Sequence, residues 1–205
     1  MSAGLVSQLN NVRAMPELVL ARHGETEWSL NGRHTGRTDL PLTENGRRRA
    51  RNLAPRLAGR EFALVLRSPL RRAAETCELA GLGDGAQVRD DLREWDYGDY
   101  EGITTPEIHA QRPGWSLWND GCPNGETAAD VGERADRIIA EVRAAVGDAI
   151  AFGHGHMLRV LGARWTGLPP EDGGLLALGT GALCVLGYEH DLPLIVHWNL
   201  ATDHL

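Results

Sequence analysis

Arg22, His23 and Gly24 close a short apolar run, Leu18-Val-Leu-Ala, and bring together residue types that handle compact anions. A guanidinium offers a planar fork matched to phosphate or carboxylate. An imidazole beside it serves as base or nucleophile, and a glycine lets a ligand come close to the backbone. Comparable endings occur twice more, at Arg67-Ser68-Pro69 leading into Arg71-Arg72, and at His154-Gly155-His156. A single basic strand end carries little meaning. Three of them converge if the strands are parallel, because ligands bind at the carboxyl edge of an open α/β sheet. The result is a crevice of positive charge in a chain of net charge −7, suited to a dianion such as phosphate.

The elements that must position these residues follow from hydrophobic pattern and punctuation. The strand ending at Arg22 leads into a long loop, Trp28 to Leu42, rich in Gly, Asn, Thr and Asp. Thr43 is a plausible N-cap for a helix from about Glu44 to Ala58, with Arg47, Arg48 and Arg51 on its solvent face. A second strand, Ala63 to Arg67, precedes a helix starting near Leu70, and Gln87 to Arg89 can form a short third strand. The chain is irregular from there to Glu126. Thr127 to Val146 has apolar residues at spacings of three and four, an amphipathic helix. Ala149 to Gly153 is a buried strand running into a helix that ends near Trp165, and Ala182 to Tyr188 and Leu194 to Trp198 are two further strands. Strands alternating with helices imply an α/β fold with a largely parallel sheet and helices on both faces.

Composition narrows the function classes. The 205 residues read as a loose extension over 1–15 and one domain over 16–205, with Met15-Pro16 as an alternative start. The acidic balance argues against non-specific binding to nucleic acid or to an anionic membrane. All 21 basic residues are Arg, which excludes a lysine Schiff base and a P-loop lysine. The 3 cysteines, Cys77, Cys122 and Cys184, are unpaired in spacing, so a disulfide framework or thiolate zinc site is not expected and a reducing cytoplasm fits. The leader lacks the apolar core of a signal peptide, and Gly173 to Tyr188 falls short of the ~20 residues of a membrane span. The apolar C-terminal strands form either an interface between two copies or an ordinary sheet edge.

Four ordered motifs carry a family resemblance. They are Arg22-His23-Gly24-Glu25-Thr26 with Gly32-Arg33, Gly36, Asp39 and Pro41-Leu42-Thr43; Ser68-Pro69-Leu70-Arg71-Arg72-Ala73 with Thr76; Glu94 before Tyr97-Gly98 and Glu101-Gly102, with Gly125-Glu126; and His154-Gly155. Over about residues 17–160 the chain resembles the histidine phosphatase (phosphoglycerate mutase-like) superfamily. The resemblance implies a three-layer αβα sandwich and a reaction through a phosphohistidine. It casts His23 as nucleophile, Arg22, Arg72 and His154 as the phosphate clamp, and Glu94 as proton donor to the leaving oxygen. Ser29, His34, Thr35, Gly36, Tyr97 and Gly155 become substrate-binding positions, and Arg71 a surface residue. No metal or cofactor is implied, since two arginines and an imidazolium stabilise the equatorial oxygens. An alkoxide leaves only when protonated, and the apolar neighbours of Glu94 would favour its protonated form. The alternative for Glu94 is a salt bridge to Arg93 or Arg71.

Other readings stay in view. His154-Gly155-His156 has the form of a metal pair, but further ligands do not follow nearby, and His156 reads as a helix N-terminal or packing residue. His109, His190, His197 and His204 have no partner pattern. Ser29 stands where an Asn usually follows the Trp of the first motif. The segment Ile103 to Cys122 lacks the longer insertion with paired basic residues that mutases of the family use to hold a carboxylate, and offers only Arg112. Water is then the expected phosphoryl acceptor, and the resemblance implies a metal-independent phosphomonoesterase of the histidine acid phosphatase type. The Trp-rich segments 94–102 and 114–126 are similar to the branch of sedoheptulose-1,7-bisphosphatase-like enzymes and broad-specificity acid phosphatases, which implies a small phosphorylated metabolite, a sugar phosphate or bisphosphate. Trp115 and Trp118 either face the sugar or fasten the loop to the core. A phosphoglycerate mutase and a catalytically silent regulatory protein on the same fold are the alternatives.

Overall fold

Two apolar clusters lie on opposite sides of one six-stranded sheet, and the alternation of side chains along its strands assigns each residue to its side. The computed structural model describes residues 15–201; the expected extension before Met15 and His204 lie outside the described residues. The strands are β1 (Leu18–Arg22), β2 (Leu64–Arg67), β3 (Gln87–Val88), β4 (Ala149–Gly153), β5 (Leu183–Glu189) and β6 (Leu192–Leu200). They run in the order β3-β2-β4-β1-β5-β6. The first four are parallel, and β5 is antiparallel to both β1 and β6. The sheet is therefore mostly parallel, with a C-terminal hairpin at one side.

The helices are α1 (Glu27–Asn31), α2 (Glu44–Arg51), α3 (Ala54–Leu57), α4 (Arg71–Leu79), α5 (Thr105–Gln111), α6 (Leu117–Asp120), α7 (Ala128–Ala144) and α8 (Gly155–Trp165). Leu18 and Leu20 of β1 join Val131, Ile138 and Val142 of α7 and Leu158 and Leu161 of α8 in one cluster. Val19 and Ala21 point the other way, against Leu53, Leu57 and Cys77 on the side of α2, α3 and α4. This is the expected three-layer αβα sandwich. Leu20 is fully buried, so shortening it to Ala costs about 2–5 kcal/mol.

Two departures from the sequence pattern have local causes. The long helix expected to Ala58 breaks into α2 and α3, with Pro55 in the first turn of α3, where its missing N–H is harmless. The expected loop after β1 begins with a helical turn, α1, because Thr26 and Ser29 form a reciprocal capping box.

Candidate active site

The parallel register sets the site. Arg22 pairs with Gly153 and Arg67 with Phe152. The ladder then continues one step beyond the strands, with the His23 amide donating to Gly153 O at 3.0 Å and the Ser68 amide to Phe152 O at 2.9 Å. His23, Ser68 and His154 therefore sit side by side on one sheet edge, and the His23 and His154 rings are 5.2 Å apart.

His23 is 5% exposed. Its Nδ1 lies 2.6 Å from Gly24 O, so Nδ1 holds the proton and Nε2 keeps its lone pair. Nε2 has no hydrogen-bond partner among the described residues, and the ring lines a cavity of about 440 Å3. Burial, then the charges of Arg72 and Arg22, push the imidazole well below its ordinary range, which keeps the nucleophilic form in acid. The turn is secured by Thr76, whose Oγ1 accepts from the Gly24 amide at 3.0 Å and donates to Arg72 O at 2.7 Å. Gly24 is needed for packing as much as for a ligand. A Cβ there would stand 2.4 Å from Gly46 O, where α2 crosses the turn.

Arg22 lies against Gly155, whose added Cβ would meet its Cζ at 3.2 Å. One of its nitrogens donates to Leu178 O. Its Nε is buried and has no partner among the described residues, and the residue lines the cavity in which an anion would sit. Arg72 and His154 are placed differently from expectation. Both are 0% exposed and neither lines the cavity. Arg72 donates from Nε to His154 Nδ1 (3.1 Å), and from its two other nitrogens to Thr38 O (2.9 Å), Thr35 O (2.9 Å) and Gly36 O (3.1 Å). Of its five N–H groups one remains. With Nδ1 accepting, His154 directs its proton from Nε2 to Ser68 Oγ at 2.8 Å. Burial and the neighbouring Arg72 push it far down from the usual imidazole range. The expected imidazolium is thus a neutral imidazole, and Arg72 is the strut around which residues 35–38 wrap.

Glu94 is 8% exposed and caps α8. Oε1 accepts from the amides of Trp95 (3.0 Å) and Met157 (2.9 Å), and Oε2 from that of His156 (3.1 Å). Neither Arg93 nor Arg71 pairs with it: Arg93 holds Asp90 at 2.8 Å and Arg71 is exposed. Aromatic neighbours are present as well, and the amides of His156 and Met157 are those of the first turn of α8. Gly125-Glu126 supports this segment, because Glu126 accepts from the Asp96 amide at 2.8 Å and binds Arg134 at 2.8 Å.

Among the expected substrate-binding positions, Ser29, His34, Thr35, Tyr97 and Gly155 line the cavity. Gly36 does not, and its amide is taken by Glu101 at 2.9 Å. Ser29 reaches the cavity wall, but its hydroxyl is committed to Thr26 O at 2.9 Å. Trp115 and Trp118 line the cavity and also fasten the loop: Trp115 donates to Gly121 O at 2.9 Å, and Trp118 stacks on Gly173-Gly174. Further lining residues that the sequence did not assign to the site include His109, His156 and Arg159. Arg159 donates to Gly173 O (3.0 Å) and Gly174 O (2.9 Å) and lies 4.5 Å over the Trp118 ring. Its signal was spacing, three residues after His156 on one face of α8. Arg112 is engaged with Asp120 at 2.8 Å and does not line the cavity. The cations available to a substrate beyond Arg22 are therefore Arg33 and Arg159, neither of them from segment 103–122.

A family model described as histidine phosphatase superfamily (branch 1) matches residues 18–201. The chain belongs to that superfamily. It is 43% identical over 178 residues to an acid phosphatase of Mycobacterium tuberculosis, covering 84% of this chain and 87% of that one. It is 39% identical to the sedoheptulose 1,7-bisphosphatase of Saccharomyces cerevisiae, over 75% of this chain and 68% of the relative. Among solved structures, the glucosyl-3-phosphoglycerate phosphatase of mycobacteria in complex with VO3 superposes with a TM-score of 0.80 at 29% identity, over 91% of this chain and 100% of that chain. Phosphoglycerate mutases are also among the relatives, one from Brucella anthropi at 34% identity over 85% of this chain and 93% of the relative.

Proposed function

We propose that this histidine phosphatase hydrolyses the phosphomonoester of a small sugar-phosphate-type metabolite through a phosphohistidine on His23, without a metal ion. The observation that carries the reading is a lone-pair-bearing His23 Nε2, free among the described residues, beside Arg22 in the wall of one cavity. Two of the phosphatases among the relatives are named for sedoheptulose 1,7-bisphosphate and glucosyl-3-phosphoglycerate, phosphate esters of a sugar and of a glucosylated glycerate.

His23 Nε2 attacks phosphorus and the P–O ester bond breaks, its electron pair passing to the leaving oxygen. Glu94 donates a proton to that oxygen from Oε2, which accepts one amide where Oε1 accepts two. Water then attacks the phosphohistidine and gives its proton back to Glu94. The P–N bond breaks, its electrons return to Nε2, and phosphate leaves. Arg22 follows the charge on the equatorial oxygens by direct contact. Arg72 acts from behind, holding His154 and the 35–38 wall, with one N–H still free.

Brief incubation with a labelled phosphomonoester and rapid quench should give acid-labile label on His23, and His23→Ala should lose hydrolysis. Hydrolysis intact in His23→Ala would remove the reading. Mutase activity is the second reading, favoured by Arg33 and Arg159 in the cavity. Transfer between the 2- and 3-positions of glycerate faster than release to water would establish it.

A further inference from the structure

Tyr97 and His156 both line the cavity, and the hydrolytic steps above use neither. The Tyr97 hydroxyl is 2.6 Å from His156 Nδ1. Tyr97 is 2% exposed, and burial together with Glu94 keeps the phenol protonated far into the alkaline range. A buried O–H must donate, and among the described residues Nδ1 is the acceptor it reaches. Nδ1 is thus a lone pair, and the imidazole proton resides on Nε2. A second proton is opposed by burial and by Arg159, His34 and Arg22. Edge contacts with Trp118 and Trp95, at 5.3 and 6.3 Å between centroids, hold the ring plane. Nε2 has no protein partner among the described residues. The same residue's backbone amide binds Glu94 Oε2 at 3.1 Å, so His156 is tied through its backbone to the proton donor to the leaving group.

We infer that Tyr97 is a positioning residue that fixes His156 as its Nε2–H tautomer, and that His156 uses this N–H to read a hydroxyl or ring oxygen on the organic part of the substrate. The second half rests on the phosphomonoesterase reading. A site built to hydrogen-bond an oxygen discriminates against an ester that lacks one, since its donor is then left unpaired. A donor facing a donor also disfavours an ammonium group at that position.

Long-range 1H–15N correlation on the full chain labelled with 15N-histidine reads the tautomer directly, with His156→Gln assigning the signal. The expected wild-type spectrum shows a pyridine-type Nδ1 and a pyrrole-type Nε2 at neutral pH. A pyrrole-type Nδ1, or an imidazolium, overturns the inference without touching the phosphatase reading. The substrate half is tested with glycerol 3-phosphate and propyl phosphate, which share a three-carbon chain and differ in hydroxyls. Wild type should favour glycerol 3-phosphate in kcat/KM by roughly tenfold, the scale of one neutral hydrogen bond. Tyr97→Phe should shrink the ratio of the two kcat/KM values, glycerol 3-phosphate over propyl phosphate, by most of that factor. Equal loss on both esters would mean a merely structural tyrosine and overturn the inference. Failure to hydrolyse either ester, or any other, would sink the phosphatase reading and the substrate half with it; the spectrum, which needs no turnover, still decides the tautomer.

Discussion

Replacing Gly155 by Ala should separate activity from stability. Gly155 is the first residue of α8 and does not have left-handed backbone, so Ala fits its conformation and is favoured in a helix by up to about 1 kcal/mol. The new methyl would lie 3.2 Å from Arg22 Cζ and 3.3 Å from its Nε. Ordinary carbon contacts are near 3.5–4.0 Å, so the guanidinium must retreat by about 0.3–0.8 Å. It cannot do so freely, because one nitrogen is tied to Leu178 O. A charge-assisted hydrogen bond contributes about 1.5–3 kcal/mol. Losing half of that to misplacement costs about 0.8–1.5 kcal/mol, or roughly four- to twelvefold in kcat/KM. The assay is steady-state phosphate release from a sugar phosphate, paired with vanadate inhibition, whose constant should weaken in parallel, and with thermal unfolding, which should stay at or above wild type. Unchanged kcat/KM with unchanged vanadate inhibition would refute the reasoning, because Arg22 would then be free to slide. Collapse of the fold would refute it too, because the clash would have been absorbed by α8.

Other perturbations read other parts of the site. Glu94→Gln keeps the shape but turns an NH2 toward amides that now donate to a carboxylate; kcat should fall by about 10²–10⁴-fold on alkyl phosphates and far less on an aryl phosphate whose leaving group needs no proton. An equal fall on both would count against an acid role. His23, His154 and His156 all titrate well below 6.5 in the folded chain, mainly through burial. The unfolded chain therefore binds more protons below about pH 6.5, so stability should be level above pH 7 and drop progressively as pH falls, by up to about 1.4 kcal/mol per unit for each group. A flat unfolding temperature from pH 7.5 to 5.5 would contradict these directions. Gly98→Ala should destabilise the chain by several times the common ~1 kcal/mol of a point mutation, since its φ is +50° and an added Cβ would stand 2.1 Å from Pro123 O; near-wild-type unfolding in denaturant would disprove that crowding.

Much of this protein is determined by its sequence alone, because apolar runs, caps and basic strand ends are local signals. The order of strands and helices, the sandwich, and the convergence of Arg22, His23 and His154 follow from hydrophobic period and from parallel strands sharing a carboxyl edge. Directions of donors and charge states do not follow, because they depend on what the fold packs around each side chain. Only the tertiary structure enclosed Arg72 in the carbonyls of residues 35–38, made His154 neutral, and set Glu94 on the amides of α8. It also assigned Gly24 to the crossing of α2, a contact between residues far apart along the chain. His156 and Arg159 entered the site for the same reason. Their types were visible, but the helix face they share turns toward the cavity only because Glu94 and Gly173-Gly174 hold that end of α8 in place.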